Sequence, residues 1–243
     1  MRKDRWPVPD EPGTVDRGTV WDRPERGSRG PAPERSRAQL TAVAVALADA
    51  EGLAAVSMRR VAGEMGTGPA TLYRYVRGRD DLVDLMIDAA AGEIDVTAPL
   101  TGDPVEDLVA LALQIRRVNL RHPWMLDLPP EPERLGPRAI DYLEYGLRAL
   151  EPAESMNGQA KLETIALMSG MVSLFARTEI QERRSPTERQ AAFAAHFAHV
   201  IAEGRHPLLA GHLANQAPGG LEEPAALFER LVRRVLTGLI ATG

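Results

Sequence analysis

The chain has 243 residues, of which 44% are hydrophobic, so it can bury the core of one large domain or two smaller ones. It contains no cysteine, which excludes disulfides, thiolate metal sites and cysteine nucleophiles. The net charge is −5, but residues 1–82 carry 14 Arg and Lys against 12 Asp and Glu, whereas residues 83–243 carry 15 against 22. This distribution allows nucleic-acid binding only through the mildly basic front.

The sequence shows neither a membrane span nor a secretion signal. No apolar run reaches the ~18 residues that a span requires. The N-terminal residues are charged and rich in proline, unlike the apolar core of a signal peptide. We therefore expect a soluble cytoplasmic protein without membrane contact.

Residues 1–35 are predicted to form a disordered or loosely attached arm, because they combine six prolines and mixed charges with no apolar period. The arginines at its end resemble arms that enter a DNA minor groove, and the alternative is a solvated linker. Trp6 and Trp21 are unusual in such a segment, so we expect one of them to pack against the body. The arginines are Arg26, Arg29, Arg35 and Arg37.

Two helices are predicted after the arm. Ser36 and Gln39 match a capping box, which opens a helix that ends at Gly52. Ser57 caps the second helix through its side-chain oxygen. That helix ends at Gly66, since glycine adopts the left-handed conformation without steric cost.

A third helix is predicted over residues 70–76, with Pro69 at its start, where a missing N–H costs nothing. Leu72 and Val76 would face the second helix. The pair is either an ordinary helical hairpin or a helix-turn-helix that probes a DNA groove. The side chains expected to point outward are Thr71, Tyr73, Arg74 and Tyr75.

The sequence from Leu47 to Met86 resembles the DNA-binding domain of the TetR family of transcriptional repressors. The matching pieces are Ala-Glu-Gly before the second helix, Met-Arg-Arg-Val-Ala at 58–62, Met-Gly at 65–66, and Thr-Leu-Tyr-Arg-Tyr-Val at 71–76 leading to Arg-Asp-Asp-Leu. This match favours the helix-turn-helix. It implies a dimer that binds a palindromic operator and is released by a small molecule in the C-terminal domain.

The resemblance also suggests which residues contact DNA. Arg59 lies where family members can reach a guanine edge, which would give ~1–3 kcal/mol of discrimination, and the alternative is a solvated surface arginine. Readout by the side chains of Pro69 and Ala70 would be apolar, for example against a thymine methyl group. Tyr73, Tyr75 and Arg79 are expected to hold phosphates, which sets register. The predicted contacts are Arg59, Thr67, Gly68, Pro69, Ala70, Thr71, Tyr73, Arg74, Tyr75 and Arg79.

The rest of the chain is predicted to be helical, which makes the fold all-α with about nine to ten helices. Residues 161–177 are apolar almost all round, so that helix should be buried on every face, in a core or against a second subunit. Core stripes are expected on two other helices, at Ile140, Leu143, Leu147 and Leu150, and at Leu227, Leu231, Val235 and Leu239. The predicted domains are the arm 1–35, a helix-turn-helix domain 36–82, and an effector-binding and dimerisation domain 83–243.

The second half resembles the tetracycline-repressor branch at Arg121-His-Pro-Trp124, at Gly136-Pro137 and at Thr178-Glu179. The branch implies an effector tunnel and a homodimer through helices 160–180 and 224–240. His122 aligns with a histidine that helps hold a magnesium–tetracycline complex, but Met171 replaces another effector-contacting histidine. We therefore expect no metal or cofactor and a largely apolar pocket for a lipophilic or aromatic effector. The candidate effector contacts, whose alternative role is plain core, are Met86, His122, Trp124, Tyr142, Tyr145, Met168, Met171 and Phe175.

The sequence thus predicts a ligand-released repressor. In this prediction the helix from Asp80 to Ile94 links the two domains and transmits the effect of the ligand to the DNA-binding domain. The alternatives are an activator or a partner-controlled regulator without a small-molecule effector. A further alternative is an all-helical enzyme with a vestigial DNA-binding domain. The five histidines of the chain are scattered, and no carboxylate pair or nucleophile–base set stands out. Both observations disfavour the enzyme.

Overall fold

Helices account for the regular secondary structure of the computed structural model, which describes residues 18–22, 36–129, 134–184, 187–214 and 223–242. Within these ranges there are ten α-helices, three short 3-10 helices and no strand, so the predicted all-α class is confirmed. The 3-10 helices are Val20–Asp22, Leu53–Ala55 and Pro123–Asp127. The α-helices are α1 Arg37–Glu51, α2 Met58–Glu64, α3 Pro69–Leu72, α4 Arg79–Ala91, α5 Pro104–Arg121, α6 Pro137–Ala149, α7 Gly158–Arg184, α8 Thr187–Ala202, α9 Pro207–Ala214 and α10 Pro224–Thr242.

The first three helices pack with the start of α4 into a unit that we call the head. The predicted capping box is present, because the Ser36 hydroxyl accepts from the Gln39 amide at 3.1 Å and the Gln39 side chain accepts from the Ser36 amide at 2.9 Å. Gly52 ends α1 with φ +85°, a conformation that favours glycine. The head core is fully buried and includes Leu40, Ala44, Val61, Ala62, Leu72 and Val76.

The helices α5, α6, α7 and α10 form a second unit, the rear body, around a separate core. Its most deeply buried side chains are Leu108, Leu111, Ile165, Leu150, Phe228, Val232 and Leu236. The stripes expected on α6 and α10 are partly wrong, since Ile140 and Val235 are exposed. On α10 the buried stripe is Phe228, Val232 and Leu236, one position on from the predicted one, because the apolar face of this helix is two residues wide.

Helix α4 belongs to both units. Its residues Leu82, Leu85 and Met86 lie in the head core, whereas Ala90 and the following Ile94 lie in the rear core. The boundary predicted between residues 82 and 83 therefore falls inside a helix that contributes to both cores. A displacement of α4 would be felt by both.

The long helix α7 is not buried on every face in the single chain. Ile165, Met168 and Val172 are buried, whereas Leu167 is 57% and Leu174 is 62% exposed. The helices α8 and α9 pack on each other, and Phe193 and Leu208 are exposed among their described side chains.

One short part of the predicted arm packs on the body. Val20 is buried, Trp21 packs against the head core, and Arg37 Nη1 donates to the Val20 carbonyl at 2.9 Å. The expectation that one tryptophan packs back is confirmed for Trp21. Trp6 and the arginines at 26, 29 and 35 lie outside the described residues. Among the helices that the structure describes, none is long and apolar enough to cross a membrane.

Candidate nucleic-acid interface and effector site

The helices α2 and α3 form the expected helix-turn-helix. The Ser57 hydroxyl accepts from the Arg60 amide at 3.2 Å and so caps α2. Gly66 has φ +61°, and the Thr67 amide then donates to the Ala62 carbonyl at 2.9 Å. Buried Leu72 fixes α3 against the buried residues of α2. Helix α3 is shorter than predicted, because residues 73–75 form a turn.

The outer face of this motif consists of small and aromatic side chains. Gly68, Pro69 and Ala70 are exposed at the start of α3. The hydroxyls of Thr67 and Thr71 lie 3.1 Å apart, which ties the turn to the helix. Tyr73 is 52% exposed, and Arg74 beside it is exposed as well. The structure thus brings together eight of the ten predicted DNA contacts, including Arg59 on α2.

Two neighbouring arginines on α2 differ in their partners. Arg60 pairs with Glu51 at 2.8 Å and with Glu64 at 3.2 Å. In the part of the chain that the structure describes, Arg59 has no hydrogen-bond or ion-pair partner, and it is exposed. A guanidinium without a carboxylate can pair with phosphate or guanine without first breaking another contact. Arg59 is therefore available to DNA in a way that Arg60 is not.

Two of the ten predicted contacts are placed differently from the expectation. Tyr75 is buried in the head core, so its expected outward position is wrong, and the cause is the turn that replaces the last part of the expected helix. Arg79 donates from Nε to the Val56 carbonyl and from Nη2 to the Leu53 carbonyl, both at 2.9 Å. Its guanidinium closes the turn between α1 and α2, and a phosphate contact would depend on its remaining donors.

A buried polar cluster joins the rear body to the head. His122 is 3% exposed, and its Nδ1 lies 2.7 Å from Asp49 Oδ1 on α1, while its Nε2 lies 3.0 Å from Glu93 Oε1 beyond α4. The Trp124 indole donates to the same Asp49 oxygen at 2.7 Å. Both imidazole contacts are hydrogen bonds at once only when the ring carries two protons, because ionised carboxylates cannot donate. His122 therefore links three segments of the chain in this structure.

The pKa of Glu93 reflects this cluster. Partial burial raises the pKa of its carboxyl, but the hydrogen bond and charge of His122, together with Arg121, outweigh burial and leave the pKa below its usual 4.5. The Arg121 guanidinium lies 2.8 Å from the second Glu93 oxygen. The ionised carboxylate is thus the form that the folded chain favours.

A second joint connects α4 with α6. The buried Asp88 carboxylate accepts from the Arg138 amide at 2.8 Å, which satisfies a free N–H in the first turn of α6. A Cβ at Gly136 would overlap this carboxylate and also the Trp21 ring. The close approach of α6 to α4 therefore requires glycine at position 136. Any movement of the start of α6 is passed to α4 through Asp88.

An apolar cavity of about 380 Å³ lies between α4, α6, α7 and the 3-10 helix Pro123–Asp127. Its volume falls within the usual range for small-molecule sites, about 300–1,000 Å³. Two arginines and a serine interrupt the apolar wall. Its described lining is Ile87, Met125, Leu126, Leu128, Pro129, Arg134, Leu135, Ala139, Gly170, Ser173 and Arg177.

A larger and more polar cleft of about 680 Å³ separates α1 from the end of α7, lined by Asp49, Glu51, Trp124, Asp127 and Arg184 among others. Its walls come from opposite sides of the head–rear junction, and six of its thirteen described lining residues are charged or polar. The smaller cavity fits the expectation of a largely apolar pocket better, since apolar walls with few polar groups are typical of ligand sites.

The eight predicted effector contacts do not form one site. Met86 is fully buried in the head core, and His122 and Trp124 lie in the junction cluster, so these three lie apart from the apolar cavity. The other five belong to the rear core or pack against it: Tyr142, Tyr145, Met168, Met171 and Phe175. The described lining of the apolar cavity includes none of the eight.

Tyr142 illustrates the rear-core group. Its hydroxyl lies 2.5 Å from Ser169 Oγ on α7, and burial raises its pKa above the usual 10.0. The phenol is therefore a neutral hydrogen-bonding group that ties α6 to α7. Within the described residues, no group of three or more His, Asp or Glu is placed to hold a metal ion.

Sequence reasoning missed the cavity lining because its residues come from four segments far apart in the chain. Arg177 follows an apolar run and has the pattern of a helix-end surface residue, and Arg134 lies in a proline-rich connection. Ser173 and Gly170, small residues within the apolar run of α7, were the available signal. Small side chains on a buried helix leave space, but they do not show which neighbour faces that space.

Comparison with protein families gives two matches that together span most of the chain. The model for bacterial regulatory proteins of the tetR family matches residues 40–86. The model for the tetracyclin repressor-like C-terminal domain matches residues 98–242. The first match covers the helix-turn-helix, and the second covers the rear body.

Individual proteins with similar sequences are transcriptional regulators. The chain is 36% identical over 199 residues to the HTH-type transcriptional repressor DrrR1 of Streptomyces coeruleorubidus, covering 79% of this chain and 73% of that protein. It is 29% identical over 227 residues to an HTH-type transcriptional regulator of Saccharopolyspora erythraea, covering 93% and 92%.

Solved structures of the Streptomyces coelicolor TetR family protein ActR have a similar fold. The complex of ActR with actinorhodin superposes with a TM-score of 0.69 at 26% identity, covering 87% of this chain and 98% of that one. Apo ActR superposes with a TM-score of 0.66 at 27% identity, covering 86% and 98%.

Proposed function

This chain belongs to the TetR family of bacterial regulatory proteins, and we propose that it represses transcription from a palindromic operator until a small lipophilic or aromatic effector binds its rear body. The observation that carries the proposal is the position of α4. This helix lies in both cores, and its residue Ile87 lines the apolar cavity. A ligand there would touch the helix that carries the head.

The proposed domains are an arm at 1–35, a DNA-binding domain at 36–82 and an effector-binding and dimerisation domain at 83–243. In the DNA-binding domain, Arg59 reads a guanine edge and the exposed start of α3 contacts base edges through apolar side chains. Tyr73 and Arg74 hold phosphates from the flank of the motif. The exposure of these groups and the lack of a described partner for Arg59 support the assignment.

We also propose a homodimer through the helices at 160–180 and 224–240. The support is the apolar surface that α7 and α10 leave uncovered in the single chain. Burying such a leucine contributes about 1.5–3 kcal/mol, so several of them are enough to hold two subunits together. The side chains concerned are Leu162, Leu167, Leu174 and Val235.

An effector acts by changing the spacing of the two recognition helices. A dimer of this type fits its operator only when the helices match half-sites about 34–36 Å apart. A ligand that binds the splayed arrangement more tightly draws the population away from the DNA-competent one. The cavity is bounded by α6, and α6 is joined to α4 through Asp88, which offers the route for this change. ActR in complex with actinorhodin is a precedent for ligand binding by a similar protein.

Footprinting on the DNA beside the protein's own gene tests this function. We expect protection of a palindromic site by two subunits, and native mass spectrometry of the complex should give a subunit-to-duplex ratio that is even. A chain that is monomeric on DNA, or that binds this DNA no better than random competitor, would contradict the proposal. Loss of a reporter's repression on deletion of the gene distinguishes a repressor from an activator.

A further inference from the structure

Two guanidinium groups reach the apolar cavity, and they differ in their partners. Arg134 Nη1 lies 2.7 Å from Asp84 Oδ1 on α4, so an acidic group already balances its charge. Burial raises the pKa of that Asp84 carboxyl despite the arginine. Arg134 therefore holds the residues that lead into α6 against α4.

Arg177 has a different environment. Its Nη2 donates to the Leu126 carbonyl, and in the described part of the chain no carboxylate lies within ion-pair distance of it. A guanidinium has five N–H donors, and a neutral carbonyl occupies one without balancing the charge. Arg177 is exposed and keeps its charge hydrated, and it lines both the apolar cavity and the larger polar cleft. Such a group is ready to pair with an incoming anion.

We infer that the effector is an apolar acid: a hydrophobic or aromatic body that fills the cavity, carrying a carboxylate or similar anionic group that pairs with Arg177. This inference rests on the proposed function, because it assigns a chemical class to the ligand of the proposed effector cavity. The walls provided by Ile87, Leu135 and Ala139 accept the apolar body, and Ser173 adds a hydroxyl near Arg177, one turn away on α7.

The anion would pair with the same guanidinium that donates to the Leu126 carbonyl. Leu126 lies in the 3-10 helix that also carries Trp124, whose indole donates to Asp49 in the head. An acidic ligand is therefore held by a side chain that also contacts this 3-10 helix, two residues from a head contact, whereas a neutral ligand of the same shape does not engage that side chain. The guanidinium that pairs with the charge of the ligand thus lies beside the junction between the head and the rear body.

A matched pair of dyes tests the inference on the full chain. 8-Anilinonaphthalene-1-sulfonate and N-phenyl-1-naphthylamine share an apolar skeleton and differ in the anionic group, and both fluoresce more strongly in apolar sites. We expect the wild type to bind the sulfonate at least tenfold more tightly than the neutral amine. Arg177→Met should remove that preference by weakening sulfonate binding about tenfold, with little effect on the amine. Arg177→Lys should retain part of the preference.

Two further variants define the outcome. Arg184→Met removes a guanidinium from the larger cleft, one that does not line the cavity, and should leave both affinities unchanged. Ser173→Trp fills the cavity and should abolish cavity binding of both dyes. If Ser173→Trp blocks both dyes but Arg177→Met and Arg177→Lys leave the preference intact, the acid class is wrong and the cavity remains the effector site. If both dyes bind Ser173→Trp as they bind the wild type, the effector site of the proposed function is itself overturned.

Discussion

The head and the rear body differ in how many large apolar side chains they leave exposed. In the head the described polar groups are tied locally, as in the Thr67–Thr71 pair and the Arg60 ion pairs, and Tyr73 is its one large hydrophobic residue with a strongly exposed side chain among those described. The rear body leaves large apolar side chains exposed on α6, α7 and α10. The head therefore covers its large apolar side chains apart from Tyr73, whereas the rear body leaves an apolar surface that the proposed dimer would bury.

This difference separates three kinds of functional damage. Damage to the outer face of the head should remove DNA binding and leave assembly intact. Damage to the apolar surface of the rear should remove assembly first and DNA binding as a consequence. Damage to the contacts between the head and the rear body should leave DNA binding and assembly partly intact. It should weaken the coupling between the two units.

The largest effect is expected at the DNA-facing surface of the head. Arg59→Ala or Tyr73→Ala should weaken binding to operator DNA at least a hundredfold, since each removes a contact from both half-sites of a dimer. Fluorescence anisotropy with the footprinted duplex measures this loss. Arg60→Ala is the matched control, because its guanidinium is already paired with Glu51 and Glu64, and it should change affinity much less. Equal losses for the two arginines would remove Arg59 from the interface.

The rear surface should give the next largest effect. Leu174→Asp places a charge on the exposed apolar face of α7 and should convert the dimer to monomers in sedimentation experiments at micromolar concentration. Operator affinity should fall with it, because one head binds one half-site. Leu208→Asp on α9, where the leucine is 80% exposed, is the control and should leave the dimer intact. A dimeric Leu174→Asp protein would place the interface elsewhere.

The joint between α4 and α6 should give a moderate effect. Asp88→Ala leaves the Arg138 amide without its acceptor and should lower the free energy of unfolding by about 2 kcal/mol, the usual range for a buried hydrogen bond to a charged group. Urea denaturation measures the loss. Asp80→Ala, an exposed residue in the first turn of the same helix, should cost far less. Identical costs would mean that Asp88 does not hold the joint.

The smallest expected effect concerns pH. The folded pKa of Glu93 lies below 4.5, so the unfolded chain binds its proton more readily as the pH falls. The carboxylate's contribution to stability is complete above pH 4.5 and is lost as the pH drops through the folded pKa. Because about a third of this side chain is exposed, the contribution should stay below about 1 kcal/mol. The difference in unfolding free energy between wild type and Glu93→Gln should shrink between pH 5.5 and pH 3, and a constant difference would contradict this assignment.

Sequence reasoning succeeded where signals are local. The Ser36 capping box, Gly66 and Leu72 each fix a turn or a helix through residues a few positions apart, and the resemblance added the register of the motif. It failed for Tyr75 because helical spacing was extended past a four-residue helix. It could not place Met86, His122 and Trp124 relative to the cavity, because their environment depends on which distant helix packs against them.

The apolar cavity is the feature that local signals in the sequence could predict least. Arg177, Arg134 and Ile87 come together only through the packing of α4, α6 and α7, and no spacing in the sequence relates them. The buried stripe of α10 could not be chosen from the sequence either, because the apolar face is two residues wide and only one of its two rows is fully buried in the chain. Local sequence patterns predict individual helices and turns. A site formed between helices can be identified only from the folded structure.

The distance between the two heads tests the central claim most directly. The chain has no cysteine, so Ala46→Cys introduces a unique, exposed position for a spin label on α1 of each head, outside the proposed DNA contacts. We predict that operator DNA narrows the label-to-label distances to one population consistent with half-sites about 34–36 Å apart. Binding of 8-anilinonaphthalene-1-sulfonate in the cavity should shift the distances away from that population, and Ser173→Trp should abolish the shift. A distance distribution that stays the same while the dye occupies the cavity would contradict the account.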